Sequence, residues 1–260
     1  MLLAIDAGNT NIVFAVCDKG VIKAQWRAAT KTSRTADEYA VWLAQLLGLE
    51  GLSFTDLGEA IIATVVPAVS FDLRTLCRHY LKVEPLSVGS PEVDLGIGIK
   101  VDRPQAVGAD RLVNAVAAHA RYQGPLIVVD FGTATTFDVV GANGDYEGGI
   151  IAPGVNLSVE ALHQAAAMLP RVAVERSERV IGKDTVPAMQ SGIYWGYVSL
   201  VEGLVARIMA EYGKPMTVIA TGGLAPLFQR QISAIEQVDP DLTISGLMLI
   251  HARNTARQSA

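Results

Sequence analysis

The amino-acid sequence contains the same pattern of strands and loops in each of its halves. In the first half, an apolar strand at residues 2–6 ends in aspartate and enters a glycine-containing turn and a hairpin. The apolar run at 126–130 does the same in the second half. Later in each half, the segments IIAT (61–64) and VIAT (218–221) predict a strand that leads into a helix. Because one such β-β-β-α-β-α unit is too small to bury a core alone, the shared order predicts two fused lobes.

Turn and capping signals predict the elements of each lobe. In the first half these are strands at 2–6, 12–17 and 21–27, a helix at 35–47, a strand at 60–66 and a helix at 67–81. In the second half they are strands at 126–130, 135–140, a third running toward 148–149, and 218–221. We predict lobes at 1–115 and 116–260, with the two aspartate loops facing each other across a cleft. A chance likeness of two hairpins is the alternative.

Composition argues against several classes of protein. Of the 260 residues, 50% are hydrophobic and 18% charged, which is enough apolar material for a sizeable core. The net charge of −5 argues against nucleic acid as a partner, because phosphate binding needs clustered Lys and Arg. Cys17 and Cys77 lie in no metal-ligand pattern, and we expect both to be buried, reduced thiols. We see no signal peptide and no apolar run of about 18 residues, and therefore expect a cytoplasmic protein without membrane contact.

The loop after the first strand has the chemistry of a phosphate site without a Walker sequence. Gly8 lets the backbone approach a phosphate closely, and Asn9, Thr10, Asn11 and the local N–H groups offer donors. Asp6 repels phosphate but would hold Mg²⁺ through waters. A plain β-hairpin turn also favours these residue types, so that interpretation stays open.

The corresponding loop of the second half, DFGTATT at 130–136, is more specific. Gly132 and Thr133 would supply backbone and hydroxyl donors to a second anionic group, and Asp130 would hold a second cation. Threonine is also a common strand residue, which is the alternative explanation.

A third loop follows the strand at 218–221. Gly222 and Gly223 have no side chains, so an adenine ring or a ribose can lie against the backbone after Thr221. An ordinary turn between a strand and a helix is the alternative.

Asp110 and Arg111 open an alanine-rich helix. A helix N-cap is one explanation of Asp110. The other is catalytic, because a kinase needs a carboxylate that accepts the proton of a substrate hydroxyl and a cation near the transferred phosphoryl group. Together, the three loops and this pair indicate an ATP-dependent kinase of small molecules.

These motifs together resemble those of the type III pantothenate kinases. They occur in the family's order across nearly the whole chain. They are DxGNT at 6–10, GADR at 108–111, DFGTATT at 130–136, GGxIxPG at 148–154, TVPAMQSG at 185–192 and TGG at 221–223.

The resemblance implies an α/β protein with the duplicated actin-like ATPase (ribonuclease H-like) fold. It implies ATP-dependent phosphorylation of pantothenate, the first step of coenzyme A synthesis. It also implies that Asp110 is the general base on the pantothenate hydroxyl, and that Gly108, Arg111, Val65 and Thr185 contact pantothenate.

Cations and partners also follow from the resemblance. It implies ATP with Mg²⁺, phosphates bound by residues 6–10, and a monovalent cation, potassium or ammonium, held with the help of Asp130. The family is dimeric, so we expect a homodimer, with the helix at 194–209 as a candidate interface. Val101 stands where the family often has a tyrosine, so one substrate contact is expected to change.

Two other functions are alternatives. Another actin-like kinase would act on a sugar or acetate, but such chains are generally longer. A non-catalytic binding protein on the same scaffold would show damage at Asp6 or Asp110, and both are intact.

Overall fold

The computed structural model describes residues 1–165 and 169–258, which form two compact units. The first unit comprises Met1–Gly98, Asp102–Ala117 and the residues from Asp241 onward. The second comprises Ile99–Val101 and Ala118–Pro240.

The sheet of the first unit is built around the apolar strand that precedes the first aspartate loop. Its five strands have the order β3-β2-β1-β4-β5. They are β1 (Leu2–Ala7), β2 (Asn11–Asp18), β3 (Val21–Ala29), β4 (Glu59–Thr64) and β5 (Leu86–Ser87). The central strand β1 is antiparallel to β2 and parallel to β4. Helices cover both faces of this sheet, which explains why β1 is apolar without alternation.

The helices of the first unit divide between the two faces. They are α1 (Ala36–Leu49), α2 (Pro67–Leu76), the first part of α3 (Ala109–Arg121) and α7 (Leu242–Gln258), with short turns at Phe54–Asp56, Cys77–Leu81 and Pro104–Ala106. One core cluster joins α1 and α2 to the sheet face that carries Leu3 and Ile5. A second joins α3 and α7 to the face that carries Leu2 and Ala4.

Local signals start two of these helices where the sequence predicts. At the start of α1, the Thr35 side chain accepts a hydrogen bond from the Glu38 N–H, and the Glu38 carboxylate accepts one from the Thr35 N–H. This capping box satisfies two backbone donors that the helix leaves unpaired. Pro67 opens α2, where its missing N–H is no loss.

Both cysteines are buried free thiols, as predicted. Burial raises the pKa of Cys17 to about 11 and the pKa of Cys77 to about 12. Thiols with such pKa values stay protonated at neutral pH and are poor nucleophiles.

The sheet of the second unit repeats the strand order of the first. Its five strands have the order β10-β9-β6-β7-β8. They are β6 (Leu126–Phe131), β7 (Ala134–Val140), β8 (Tyr146–Pro153), β9 (Thr217–Thr221) and β10 (Gln237–Val238). The central strand β6 is antiparallel to β7 and parallel to β9, as β1 is to β2 and β4. The predicted duplication is therefore confirmed at the level of topology.

The hydrogen-bond register corrects one detail of the repeat. Asp6 pairs with Ala63, whereas Asp130 pairs with Thr221. The equivalent of Thr221 is thus Ala63, and the predicted match of Thr221 with Thr64 is offset by one residue. The sequence comparison matched the two segments by residue type. The structural equivalence is instead set by the backbone pairing of β4 with β1 and of β9 with β6.

Three helices accompany the second sheet: α4 (Val155–Ala165), α5 (Thr185–Tyr212) and α6 (Ala225–Phe228). The predicted helix at 194–209 lies inside α5, which is 28 residues long. By length and composition α5 could cross a membrane. However, Tyr194, Val198, Val201 and Val205 are buried in the core of the second unit, as is typical of a core helix.

The last helix continues through a polar stretch of sequence. The residues after Ile250 are mostly polar, and α7 continues to Gln258. Asn254 is buried, donates to the Asp94 carbonyl oxygen at 2.9 Å and accepts from the Asp94 N–H at 2.9 Å. These long-range bonds hold a polar helical turn that hydropathy alone does not predict.

Because α7 belongs to the first unit, that unit is not one continuous segment of the chain. The division into lobes 1–115 and 116–260 stays a prediction.

Asn254→Ala is expected to lower the free energy of unfolding by about 1–3 kcal/mol, because it leaves two backbone groups of Asp94 without these partners. Urea unfolding measures the loss. Ala252→Gln, a change at an exposed position two residues earlier on the same helix, is the matched control. Equal stability of the two variants would contradict this role of Asn254.

Candidate active site

The first aspartate loop is held in shape by its own backbone and by Thr30. The Gly8 N–H donates to the Asn11 carbonyl oxygen at 3.0 Å. The Thr30 hydroxyl donates to the Gly8 carbonyl oxygen at 2.6 Å, and the Thr30 N–H donates to the Thr10 carbonyl oxygen at 3.0 Å. Asn9, Thr10 and Asn11 are exposed, so a ligand can reach their side chains. No local sequence signal marks Thr30, which reaches the loop only through the sheet.

The end of β4 brings Val65 to this loop. The Val65 N–H donates to the Ala7 carbonyl oxygen at 3.1 Å, and the Thr64 hydroxyl lies 3.4 Å from the same oxygen. The Thr64 hydroxyl also accepts from the Val66 N–H at 3.0 Å, which sets the turn into α2. Parallel pairing of β1 and β4 therefore places Val65 beside the first loop.

Val65 also meets the segment that carries Asp110. A Cβ atom on Gly108 would lie 3.4 Å from Val65 Cγ1 and 2.6 Å from Asp110 Oδ1. A side chain at position 108 would therefore displace the carboxylate. The structure thus brings together four residues of the first unit that the sequence analysis selected: Val65, Gly108, Asp110 and Arg111.

Asp110 lies in the first turn of α3 and is not its N-cap, because the helix already begins at Ala109. Its Oδ1 atom accepts a hydrogen bond from the Arg111 N–H at 2.8 Å. Burial raises the pKa of Asp110 above its ordinary value, while that hydrogen bond and the charge of Arg111 act in the opposite direction. The positive end of the helix dipole also favours a carboxylate here. A raised pKa is the property expected of a general base.

The second aspartate loop belongs to the second unit and is one residue shorter than the first. Here the Gly132 N–H donates to the Ala134 carbonyl oxygen at 3.1 Å. A Cβ atom on Gly154 would overlap the Thr133 carbonyl group and lie 2.8 Å from the Gly132 carbonyl oxygen. Gly154 thus packs directly against this loop. The sequence analysis named it only as part of the glycine-rich motif at 148–154.

Gly222 and Gly223 differ in their surroundings. Gly222 has φ +90°, and a Cβ atom there would lie 2.5 Å from Asp130 Oδ1 and 2.7 Å from the Phe131 backbone nitrogen. Gly223 is exposed, and apart from its two neighbours in the chain no described residue comes within 4 Å of a Cβ placed on it. Gly222 is therefore required by the protein itself, whereas the face of Gly223 is open to a ligand. Thr221 is buried beside Asp130 in the parallel ladder.

Thr185 lies at the start of α5, after the N-cap Asp184. It lines a cavity of about 600 Å³ in the second unit. The other lining residues are Leu162, Leu169, Ala188, Met189, Gly192 and Ile193. This wall is mostly apolar, and contact between Thr185 and a substrate remains a prediction.

The carboxylates near the two loops suit a cation that keeps much of its water. Among residues 1–165 and 169–258, no three His, Cys, Asp or Glu side chains are grouped so as to bind a metal ion. Asp6 lies near the end of β1, and Asp130 lies near the end of β6. A single carboxylate of this kind can serve Mg²⁺, which usually keeps several waters and takes one or two carboxylates together with substrate phosphates.

Gly222→Ala is expected to destabilise the protein by roughly 2–4 kcal/mol, because the methyl group overpacks Asp130 and the backbone is left-handed. Gly223→Ala, the adjacent position in open space, is the control and should change the melting temperature little. Thermal unfolding of both variants measures the difference. Similar melting temperatures would show that the contact with Asp130 relaxes at no cost.

Comparison with known proteins identifies the family of this chain. Residues 2–207 match the family model described as type III pantothenate kinase. A type III pantothenate kinase of Paramagnetospirillum magneticum is 65% identical over 255 residues, which cover 98% of each chain. That of Rhodospirillum rubrum is 65% identical over 254 residues, covering 98% of this chain and 99% of its own.

A solved structure extends the likeness to the fold. Component A of the (R)-2-hydroxyglutaryl-CoA dehydratase of Acidaminococcus fermentans superposes with a TM-score of 0.56 at 14% identity. The superposition covers 100% of this chain and 99% of the component A chain. The predicted duplicated actin-like ATPase fold of the α/β class is confirmed. With the family model matched over most of its length, the chain belongs to the type III pantothenate kinase family.

Proposed function

We propose that this protein transfers the γ-phosphoryl group of ATP to the primary hydroxyl of pantothenate, which is the first step of coenzyme A synthesis. The observation that carries the proposal is the Asp110 carboxylate. It lies partly buried at the start of a helix, bonded to the Arg111 N–H and packed on Gly108 beside Val65. Membership of the family supports pantothenate as the acceptor.

Asp110 is the general base in this proposal. It orients the pantothenate hydroxyl and takes its proton as the oxygen attacks the γ-phosphorus in line with the leaving ADP oxygen. A raised pKa makes the carboxylate a better proton acceptor than an exposed aspartate. Arg111 supplies positive charge, and Gly108, Val65 and Thr185 bind the rest of pantothenate.

The nucleotide occupies the glycine loops. Residues 6–11, Gly132 and Thr133 bind the phosphates through backbone N–H and hydroxyl groups. Thr221, Gly222 and Gly223 lie against the adenosine, where the open face of Gly223 suits a flat ring or a ribose.

Cations are assigned to the two strand-end carboxylates. Asp6 would hold Mg²⁺, and Asp130 would help to hold potassium or ammonium. When bound, such cations neutralise the phosphate charge and orient the oxygens for transfer. The protein contributes the fixed position of each carboxylate in its sheet.

We further propose a cytoplasmic homodimer. The predicted interface helix, 194–209, has its buried face in the core of the second unit. A second copy would therefore meet the other faces of α5 together with exposed apolar side chains of the same unit. These include Leu157, Val180, Ile181 and Val186.

The decisive assay is phosphorylation of pantothenate by the purified protein with ATP and Mg²⁺, in potassium and in sodium. Phosphopantothenate should form, and faster in potassium. Asp110→Asn should lose at least about 100-fold in turnover while still binding ATP, because the amide cannot accept the proton. Asp37→Asn is the matched control, since Asp37 takes the same first-turn position in α1 but is exposed. Full activity of Asp110→Asn would reduce Asp110 to a structural residue.

Asp110 also makes stability depend on pH. Its folded pKa lies above its unfolded value, so the resulting stabilisation is present below about pH 4 and is lost as the pH rises through the folded pKa. Asp110→Asn should therefore be more stable than wild type at pH 7, and the difference should disappear near about pH 3.5. Thermal unfolding at the two pH values tests this. A variant less stable than wild type at pH 7 would contradict it.

A further inference from the structure

The hydroxyl of Tyr197 makes two hydrogen bonds inside the second unit that the proposed chemistry does not use. It donates to the Pro153 carbonyl oxygen at 2.8 Å and lies 2.6 Å from the Ser158 hydroxyl. Because the single tyrosine proton goes to the carbonyl, the Ser158 hydroxyl is the donor in the second bond. Tyr197 is buried, whereas Ser158 is half-buried and Pro153 is exposed, so Tyr197 reaches this turn from inside the unit.

Pro153 is the last residue of β8, and it lies beside the second aspartate loop. It pairs with Ala134, the residue whose carbonyl oxygen accepts the Gly132 N–H. The next residue, Gly154, packs against the carbonyl groups of Gly132 and Thr133 so closely that a Cβ atom would overlap them. A shift of Pro153 is therefore transmitted to the loop.

Ser158 ties the same turn to α4. Its N–H donates to the Gly154 carbonyl oxygen at 2.9 Å, while its hydroxyl contacts Tyr197. The turn at Pro153 and Gly154 is thus held by Tyr197 from α5 and by Ser158 from α4.

The ring of Tyr197 is anchored independently of its hydroxyl. Its centroid lies 6.4 Å from that of Phe228, which stacks on Phe131 at 5.1 Å and on Tyr194 at 5.3 Å. Phe131 is the loop residue between Asp130 and Gly132. Removing only the hydroxyl therefore leaves the aromatic packing in place.

We infer that Tyr197 is a positioning residue for the nucleotide phosphates, acting through Pro153 and Gly154 on the loop at Gly132 and Thr133. This rests on the proposed function, in which that loop binds ATP. The loop N–H and hydroxyl groups bind phosphate well only when their directions are fixed before binding. The hydroxyl of Tyr197 supplies part of that constraint.

Tyr197→Phe against Tyr194→Phe is the matched test. Both tyrosines lie on α5 and pack near Phe228, but the Tyr194 hydroxyl donates to the Leu227 carbonyl oxygen at 3.4 Å, away from the loop. Tyr197→Phe should raise the KM for ATP and weaken equilibrium binding of ADP by roughly three- to tenfold, the effect of one hydrogen bond. The KM for pantothenate should change by less than about twofold on the same scale. Tyr194→Phe should leave all three values near wild type.

A second variant distinguishes a local effect on the turn from a general folding defect. Ser158→Ala should weaken ADP binding less than Tyr197→Phe, and the double variant should show less than the sum of the two effects, because they act on one turn. Equal changes for ATP and pantothenate, or equal effects of Tyr197→Phe and Tyr194→Phe, would overturn the inference.

Failure of the inference about Tyr197 and failure of the proposed function can be told apart. If wild type binds ADP but does not phosphorylate pantothenate, the proposed reaction fails while the comparison of ADP affinities still decides the role of Tyr197. If wild type binds no nucleotide, both fail.

Discussion

The pairing of one central strand in each unit is the constraint on which the rest of the structure depends. β1 and β6 each lie between an antiparallel and a parallel neighbour, so their backbone groups are satisfied on both sides. Ligand sites in open α/β sheets form where such strands end at their carboxyl edge. Asp6 and Asp130 stand near these ends, and the parallel neighbours β4 and β9 deliver Val65 and Gly222 beside their respective loops.

The two copies of this arrangement are stabilised by different means. The first loop keeps its longer turn through the side chain of Thr30, which bonds to the Gly8 carbonyl oxygen. The second loop is shorter and is held by close backbone packing, with Gly154 and Gly222 at positions where a side chain would collide. The two units thus share the strand order and differ in the contacts that fix each loop.

Under the proposed function, the requirement for a carboxylate at position 110 opposes the stability of the first unit. A partly buried carboxylate with a raised pKa is less favourable at neutral pH than the same group in the unfolded chain. The Arg111 N–H, the Arg111 charge and the N-terminus of α3 limit that cost without removing it. An asparagine is expected to fold at least as well but could not accept a proton, so we propose that the carboxylate at this position serves the phosphoryl transfer and not the packing of the helix.

The sequence by itself determined the duplication, the class of the strands and helices predicted in the sequence analysis, and the position of the glycine loops, because these depend on local periodicity, capping and turn residues. Family resemblance added the reaction. Only the tertiary structure decided the register of β4 and β9 and the different surroundings of Gly222 and Gly223. It also decided the hydrogen bonds between Asn254 and Asp94 and the one from Tyr197 to Pro153. Each of these depends on atoms that are far apart in the chain and meet only through packing, which no local pattern encodes.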